Sequence, residues 1–218
     1  MELERFAEML VADLRPVRRV APPWKRLLWW LAISIPAAIA VALVFGLRPG
    51  LIRQFSEPKF AIYEAAAVIT GIISGYVALC AGLPDQPSWK LWLPLAPLVV
   101  WLATLGQQCT EVLVRFGPGG IRLTSDAMCL PAIAIGGLVP AVAMVVLLRR
   151  SRNFRVTQAC LCGALAAAAL GAAALRLYHA QDAAFMVLVW QLGSVVIFTV
   201  FAAVLGRLTL AHRQRRHV

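Results

Sequence analysis

The sequence predicts an all-α polytopic membrane protein, with six transmembrane helices preceded by a short cytoplasmic N-terminal amphipathic helix. Three observations predict it. Hydrophobic residues make up 61% of the 218 positions and charged residues only 14%, against about 25% charged in an ordinary soluble domain. The apolar residues fall into six runs, each near the ~20 residues needed to cross about 30 Å of hydrocarbon. Lysine and arginine lie unevenly on the two sides of those runs. The mean hydropathy of +0.79 fits the same class. The net charge of +11 does not signal direct nucleic-acid binding, because the basic residues flank apolar runs rather than forming one basic face.

Residues 1–26 form the one sizeable segment outside the spans. Leu3, Phe6, Ala7, Leu10 and Leu14 share one helical face, while Glu2, Glu4, Glu8 and Asp13 lie mostly elsewhere. Pro16 disfavours helix at the residue before it, so this helix should end near Leu14. Pro22-Pro23 then makes a stiff link to Trp24, an expected interfacial anchor. A segment this short cannot bury its own apolar stripe. It either lies on the membrane surface or docks into a groove on a soluble protein. Residues 1–14 carry four acids and one base. Surface helices on anionic lipid are usually basic, so an acidic helix better fits a basic protein partner.

The expected spans are Leu27–Leu47, Phe60–Gly82, Leu91–Gln108, Met128–Leu148, Val156–Leu177 and Ala183–Leu205. The first run is too long for a typical signal sequence and is read as an uncleaved span. Residues 27–206 thus form the membrane domain, and 207–218 a basic cytoplasmic tail. Connections are short and carry turn residues, as in Arg48-Pro49-Gly50, Leu83-Pro84-Asp85 and Gly117-Pro118-Gly119-Gly120. The runs are continuous and lack period-2 alternation, which favours helices over a barrel. With both termini cytoplasmic, fifteen Lys and Arg residues fall inside and six outside, as the positive-inside rule requires. Gly71 and Gly75, and the stripe Gly163, Ala167 and Gly171, permit close helix approach. They serve internal packing or a homodimer, with internal packing the favoured reading. Pro36, Pro94, Pro97, Pro131 and Pro140 lie in or beside spans and are candidate kink sites.

Topology divides the five cysteines. Cys80, Cys160 and Cys162 fall on the reducing cytoplasmic side, where a buried thiol usually acts as a small apolar residue. Cys109 and Cys129 fall at the outer boundary, across a loop between the third and fourth spans. In a Gram-negative bacterium that side is oxidising. If the two helices are neighbours, the thiols can approach the ~4.4–6.8 Å Cα separation of a disulfide, or bind a soft metal ion. A static disulfide, or two unrelated core cysteines, explains them equally well.

Other polar candidates are few. Intramembrane charge is scarce, which argues against a pump or proton-coupled transporter. Glu64 and Glu111 read as span-boundary residues. His179 and Asp182, in the last outer loop, are spaced to pair or to share a metal, a simple hydrogen bond being the plainer role. No Walker loop, HExxH, CxxC or GxSxG occurs, and neither an enzyme activity nor a cofactor is expected.

Several segments together resemble the NrsF-type anti-sigma factors. They are Leu10-Val11-Ala12-Asp13-Leu14-Arg15-Pro16-Val17 followed by Ala21-Pro22-Pro23; Trp101-Leu102-Ala103-Thr104-Leu105-Gly106 leading to Cys109, then Gly117-Pro118-Gly119 and Cys129-Leu130; and His179-Ala180-Gln181-Asp182, then Val187-Leu188-Val189-Trp190. The resemblance spans nearly the whole chain. It implies a six-span inner-membrane protein that holds an extracytoplasmic-function sigma factor inactive. It carries sigma-factor binding onto Asp13, Leu14, Pro16 and Val17, beside Leu10 of the same segment, and redox or heavy-metal sensing onto Cys109 and Cys129. Gln191 follows Trp190 where the family pattern leads one to expect His, which weakens a metal role for the last outer loop. Two other classes compete. A thiol–disulfide exchange protein would need a quinone or a second outer cysteine pair, and a small transporter would need a polar path through the spans.

Overall fold

The computed structural model describes residues 20–117, 129–149 and 155–178, with isolated positions at Arg5, Gly193, Val196, Ile197, Val200, Phe201 and Val204. The described residues include no strand. The helices are α1 Pro23–Phe45, α2 Leu51–Phe55, α3 Pro58–Cys80, α4 Leu95–Phe116, α5 Cys129–Arg149 and α6 Val156–Tyr178, with a 3-10 segment at Ser88–Trp92 before α4.

Proline and glycine set several boundaries. Pro23 and Pro58 open α1 and α3, where a missing N–H costs nothing. Gly46 (φ 87°) and Gly117 (φ 62°) close α1 and α4 in a backbone region that L side chains rarely adopt. At 23 residues, α1, α3 and α6 are each roughly 34 Å long. Among the described residues, four helical segments are long and apolar enough to cross a membrane: Pro23–Phe45, Pro58–Cys80, Ser88–Gln107 and Val156–Tyr178. A further apolar stretch lies in α5, Ile135–Arg149. Large apolar side chains project outward from α1 (Trp29, Leu43, Val44), α4 (Val99, Val114) and α5 (Leu138, Val142). So large an outward apolar surface is unfavourable in water and is consistent with a membrane protein.

The central pair is α3 with α6, packed along their length; α5 lies against α6 and α1, α4 against α3, and α1 touches α3, α5 and α6. Small residues make these approaches possible. A Cβ on Gly71 would meet Leu170 at 3.2 Å and the Ala166 carbonyl at 3.3 Å. One on Gly163 would meet Met144 Cγ at 2.9 Å, and one on Gly136 the Gly171 carbonyl at 3.5 Å. The glycine stripes therefore face the bundle interior. Gly75 leaves room for Trp30, whose Nε1–H donates to the Pro140 carbonyl at 2.9 Å. Arg26, also buried, donates through Nη2 to the Leu147 carbonyl in the last turn of α5, one of the carbonyls a helix end leaves open. At the two ends, Arg155 N–H bonds the Ala81 carbonyl (3.3 Å) and Arg48 N–H the Leu177 carbonyl (2.9 Å).

Two connections differ from expectation. The connection after α1 contains the extra helix α2, and α4 is preceded by a 3-10 segment and a break at Pro94 before running on to Phe116. Pro94 and Pro97 cannot donate, and α4 places them before and within its first turn, where no donor is needed. Beyond Gln108, Thr110, Glu111 and Arg115 interrupt the apolar run, but the helix continues to Phe116 and closes at Gly117.

Candidate functional site

The sequence placed its candidates at the two ends of the bundle. The partner-binding residues Leu10, Asp13, Leu14, Pro16 and Val17, the pair His179 and Asp182, most of the sixth span and the basic tail lie outside the described residues. Cys109 and Cys129 belong to helices α4 and α5 by backbone, while their side chains lie outside the described residues.

At the Lys59 end, α4 continues two turns beyond Cys109. Glu111 there receives a hydrogen bond from Lys59 Nζ, at the start of α3, and a longer one from Gln107 Nε2 at 3.4 Å. The Lys59 hydrogen bond is the main influence holding the exposed Glu111 carboxyl below its ordinary range. The second position, Cys129, opens α5, and α5 is attached to α6 and α1. The helices of the two cysteines are thus anchored on different members of the central pair, and share no extensive packing among the described residues.

What seats α4 is Trp101 with Leu105, both about 2% exposed or less. They pack on α3 in one buried cluster with Tyr63, Ala66 and Ala67, which Ala169, Ala172 and Ala173 of α6 complete. Tyr63 and Trp101 meet edge-on, with ring centroids 6.1 Å apart. Trp101 lies eight residues before Cys109, roughly 12 Å along the helix. The Arg176 guanidinium stacks over Tyr63 at 4.0 Å and Phe60 at 4.9 Å. Glu64, one residue from Tyr63, is 7% exposed, and its Oε2 finds no hydrogen-bond donor among the described residues.

This polar cluster was missed in the sequence. Glu64 read as a boundary residue, yet it and Arg176 are both buried inside long apolar helices. Ionisable residues within such runs were the signal available. Trp101 and Leu105, by contrast, belong to a motif the sequence singled out.

At the Lys90 end, Cys80, Cys160 and Cys162 are unbridged, and Cys160 packs with Val156, as small apolar residues do. Among the described residues no cluster of three His, Cys, Asp or Glu side chains could hold a metal.

Comparison with known protein families gives a match over most of the chain. The family model NrsF, described as negative regulator of sigma F, matches residues 10–212. No curated protein and no solved structure matches the chain.

Proposed function

The chain belongs to the NrsF family of negative regulators of sigma F, and from that membership we propose that it is an inner-membrane anti-sigma factor that sequesters an extracytoplasmic-function sigma factor through its cytoplasmic N-terminus. Negative regulation of a sigma factor follows from the family itself. The observation that carries the finer reading is the extent of the match, which begins at residue 10, inside the acidic amphipathic segment, and runs through to residue 212. In this reading six spans hold the protein in the membrane, with both termini in the cytoplasm. Leu10, Asp13, Leu14, Pro16 and Val17 contact the sigma factor. Sequestration keeps it from the transcription machinery, and no chemistry by this chain is needed.

Cys109 and Cys129 are the proposed sensor. Oxidation, or capture of a soft heavy-metal ion, changes their relation at the outer side. Because α4 and α5 are held by different helices, a link between their cysteines would load both seams, Trp101 and Leu105 on one side and Gly136 and Gly137 on the other. The inner ends of these spans, near Lys90 and Arg149, would shift in response. Release requires that the two states bind the sigma factor unequally. A reversal from 99% held to 99% free needs a difference of about 5.5 kcal/mol.

Affinity capture from detergent extract tests the core of the proposal. The full chain should recover a sigma factor, and deletion of residues 1–17 should abolish recovery while membrane insertion survives. Undiminished capture by the deleted chain would refute the N-terminal assignment. Cys109→Ser or Cys129→Ser should blunt induction by oxidant or metal, and normal induction in the double variant would remove both from the mechanism.

A further inference from the structure

The Lys90 end of the bundle carries a feature that sigma capture does not use. Four tryptophans project from it: Trp24 and Trp29 at the start of α1, Trp89 and Trp92 on the 3-10 segment, each 54–70% exposed. Indole rings collect at the headgroup level of a bilayer, where the apolar ring and the polar N–H are both satisfied. They mark the depth at which this end meets lipid.

At the same end a narrow cleft opens between the 3-10 segment and the junction of α3 with α6. Its walls include Cys80, Ala81, Gln86, Lys90, Leu91 and Arg155. The junction is fixed by the Arg155 N–H bond to the Ala81 carbonyl, which does not involve the Arg155 side chain. Lys90 Nζ donates to Gln86 Oε1 at 2.6 Å and lies 5.7 Å from the Tyr76 ring centroid. An ammonium has three donors, so this one bond leaves capacity to spare. Among the described residues no carboxylate pairs with Lys90 or Arg155, and Asp85 in the same loop pairs with neither.

Two cations from separate elements thus share one cleft at headgroup depth, with no counter-anion among the described residues. We infer that this cleft binds the phosphate of an anionic phospholipid. Arg supplies a planar fork and Lys a point charge, a combination suited to a phosphate. Basic pockets between helices on the cytoplasmic side are a known way of holding anionic headgroups. A lipid fits better than soluble phosphate because the apolar wall at Leu91 leads to the exposed Leu93 and Leu95, which acyl chains would cover. The inference rests on the membrane reading above, but not on sigma capture or on Cys109 and Cys129.

The test is thermal unfolding of the purified full chain in neutral detergent, followed by tryptophan fluorescence. Phosphatidylglycerol added to the micelles should raise the wild-type melting temperature by a few degrees, and phosphatidylcholine at the same mole fraction should not. K90Q/R155Q should lose at least half of that shift, and K90R/R155K should keep it. An equal shift in K90Q/R155Q, or an equal shift with phosphatidylcholine, would overturn the inference. So would a shift of that size from inorganic phosphate alone, or from a peptide of residues 1–14, the acidic segment being the other candidate occupant. If K90Q/R155Q does not fold, native mass spectrometry of K90Q replaces it, and phosphatidylglycerol retained as in wild type overturns the inference. The pull-down that tests sigma capture is unaffected by any of these results.

Discussion

At the scale of single residues, the glycines give the sharpest contrast. Gly71 faces Leu170 and the Ala166 carbonyl at 3.2–3.3 Å, and a backbone oxygen cannot step aside. Gly71→Leu should therefore destabilise the protein by about 1–3 kcal/mol, as overpacking generally does. Gly106 has nothing within 4 Å of where a Cβ would stand. Gly106→Ala should be neutral or stabilising by up to ~1 kcal/mol, since alanine is the better helix former. Melting temperatures of the two variants in one detergent check both signs. Glu111 offers a pH test. Its folded pKa is depressed by Lys59, so the pair stabilises the fold above the ordinary carboxylate range and loses that contribution as pH falls through the folded value. The stability difference between wild type and Glu111→Gln should be small, because the pair is exposed, and should vanish on acidification. A difference that grew in acid would contradict the pairing. The close-packing role of Gly71, Gly75 and Gly163 was legible from spacing alone, because small residues at helical intervals have few other uses in an apolar run. The burial of Arg176 was not, because a charge near a span's end reads as loop until its aromatic neighbours from another helix are known.

At the scale of elements, hydropathy found the bodies of α1, α3, α5 and α6 to within a few residues. For α4 it found the apolar stretch, Ser88–Gln107 against the expected Leu91–Gln108, but not the last two turns, where Glu111 and Arg115 interrupt the apolar run and the helix goes on to Gly117. It was silent on α2, five residues long and half polar. Chain order also did not reveal which helices touch. The third and fourth spans follow one another, yet α4 is seated by Trp101 on α3, and α5 by Gly136 and Gly137 against Gly171 and Ala167 of α6. Side-chain fit decides such neighbours, and a one-dimensional apolar count contains no fit. Trp101→Ala empties the main contact of α4, and large aromatic-to-alanine changes in a core cost about 3–5 kcal/mol. The variant should melt well below wild type, and proteolysis should reach α4 before the central pair. Equal protection of α3 and α4 in that variant would argue that α4 is held by something else.

Across the whole molecule, the ends of the helices alternate, so residues of one end come from the starts of α3 and α5 and the finishes of α1, α4 and α6. An impermeant thiol reagent applied to intact cells should reach Cys109 or Cys129 and spare Cys160 and Cys162. The reverse pattern would invert the proposed orientation and remove the sensor with it. The apolar, all-helical character was legible because it depends on composition and run length, which any folding of the chain preserves; the order of helices around the central pair was not, for the reason α4 shows. The bonds from Trp30 and Arg26 have a further consequence for biogenesis. Their acceptors, Pro140 and Leu147, lie 110 and 121 residues downstream. At about 5–20 residues per second, a ribosome needs roughly 6–24 s to supply them. Through that interval the opening helix carries an indole N–H and a guanidinium whose final acceptors have not been made. A nascent chain interrupted before residue 140 should therefore be a preferred target of membrane quality-control proteases, and one interrupted after residue 149 should outlive it.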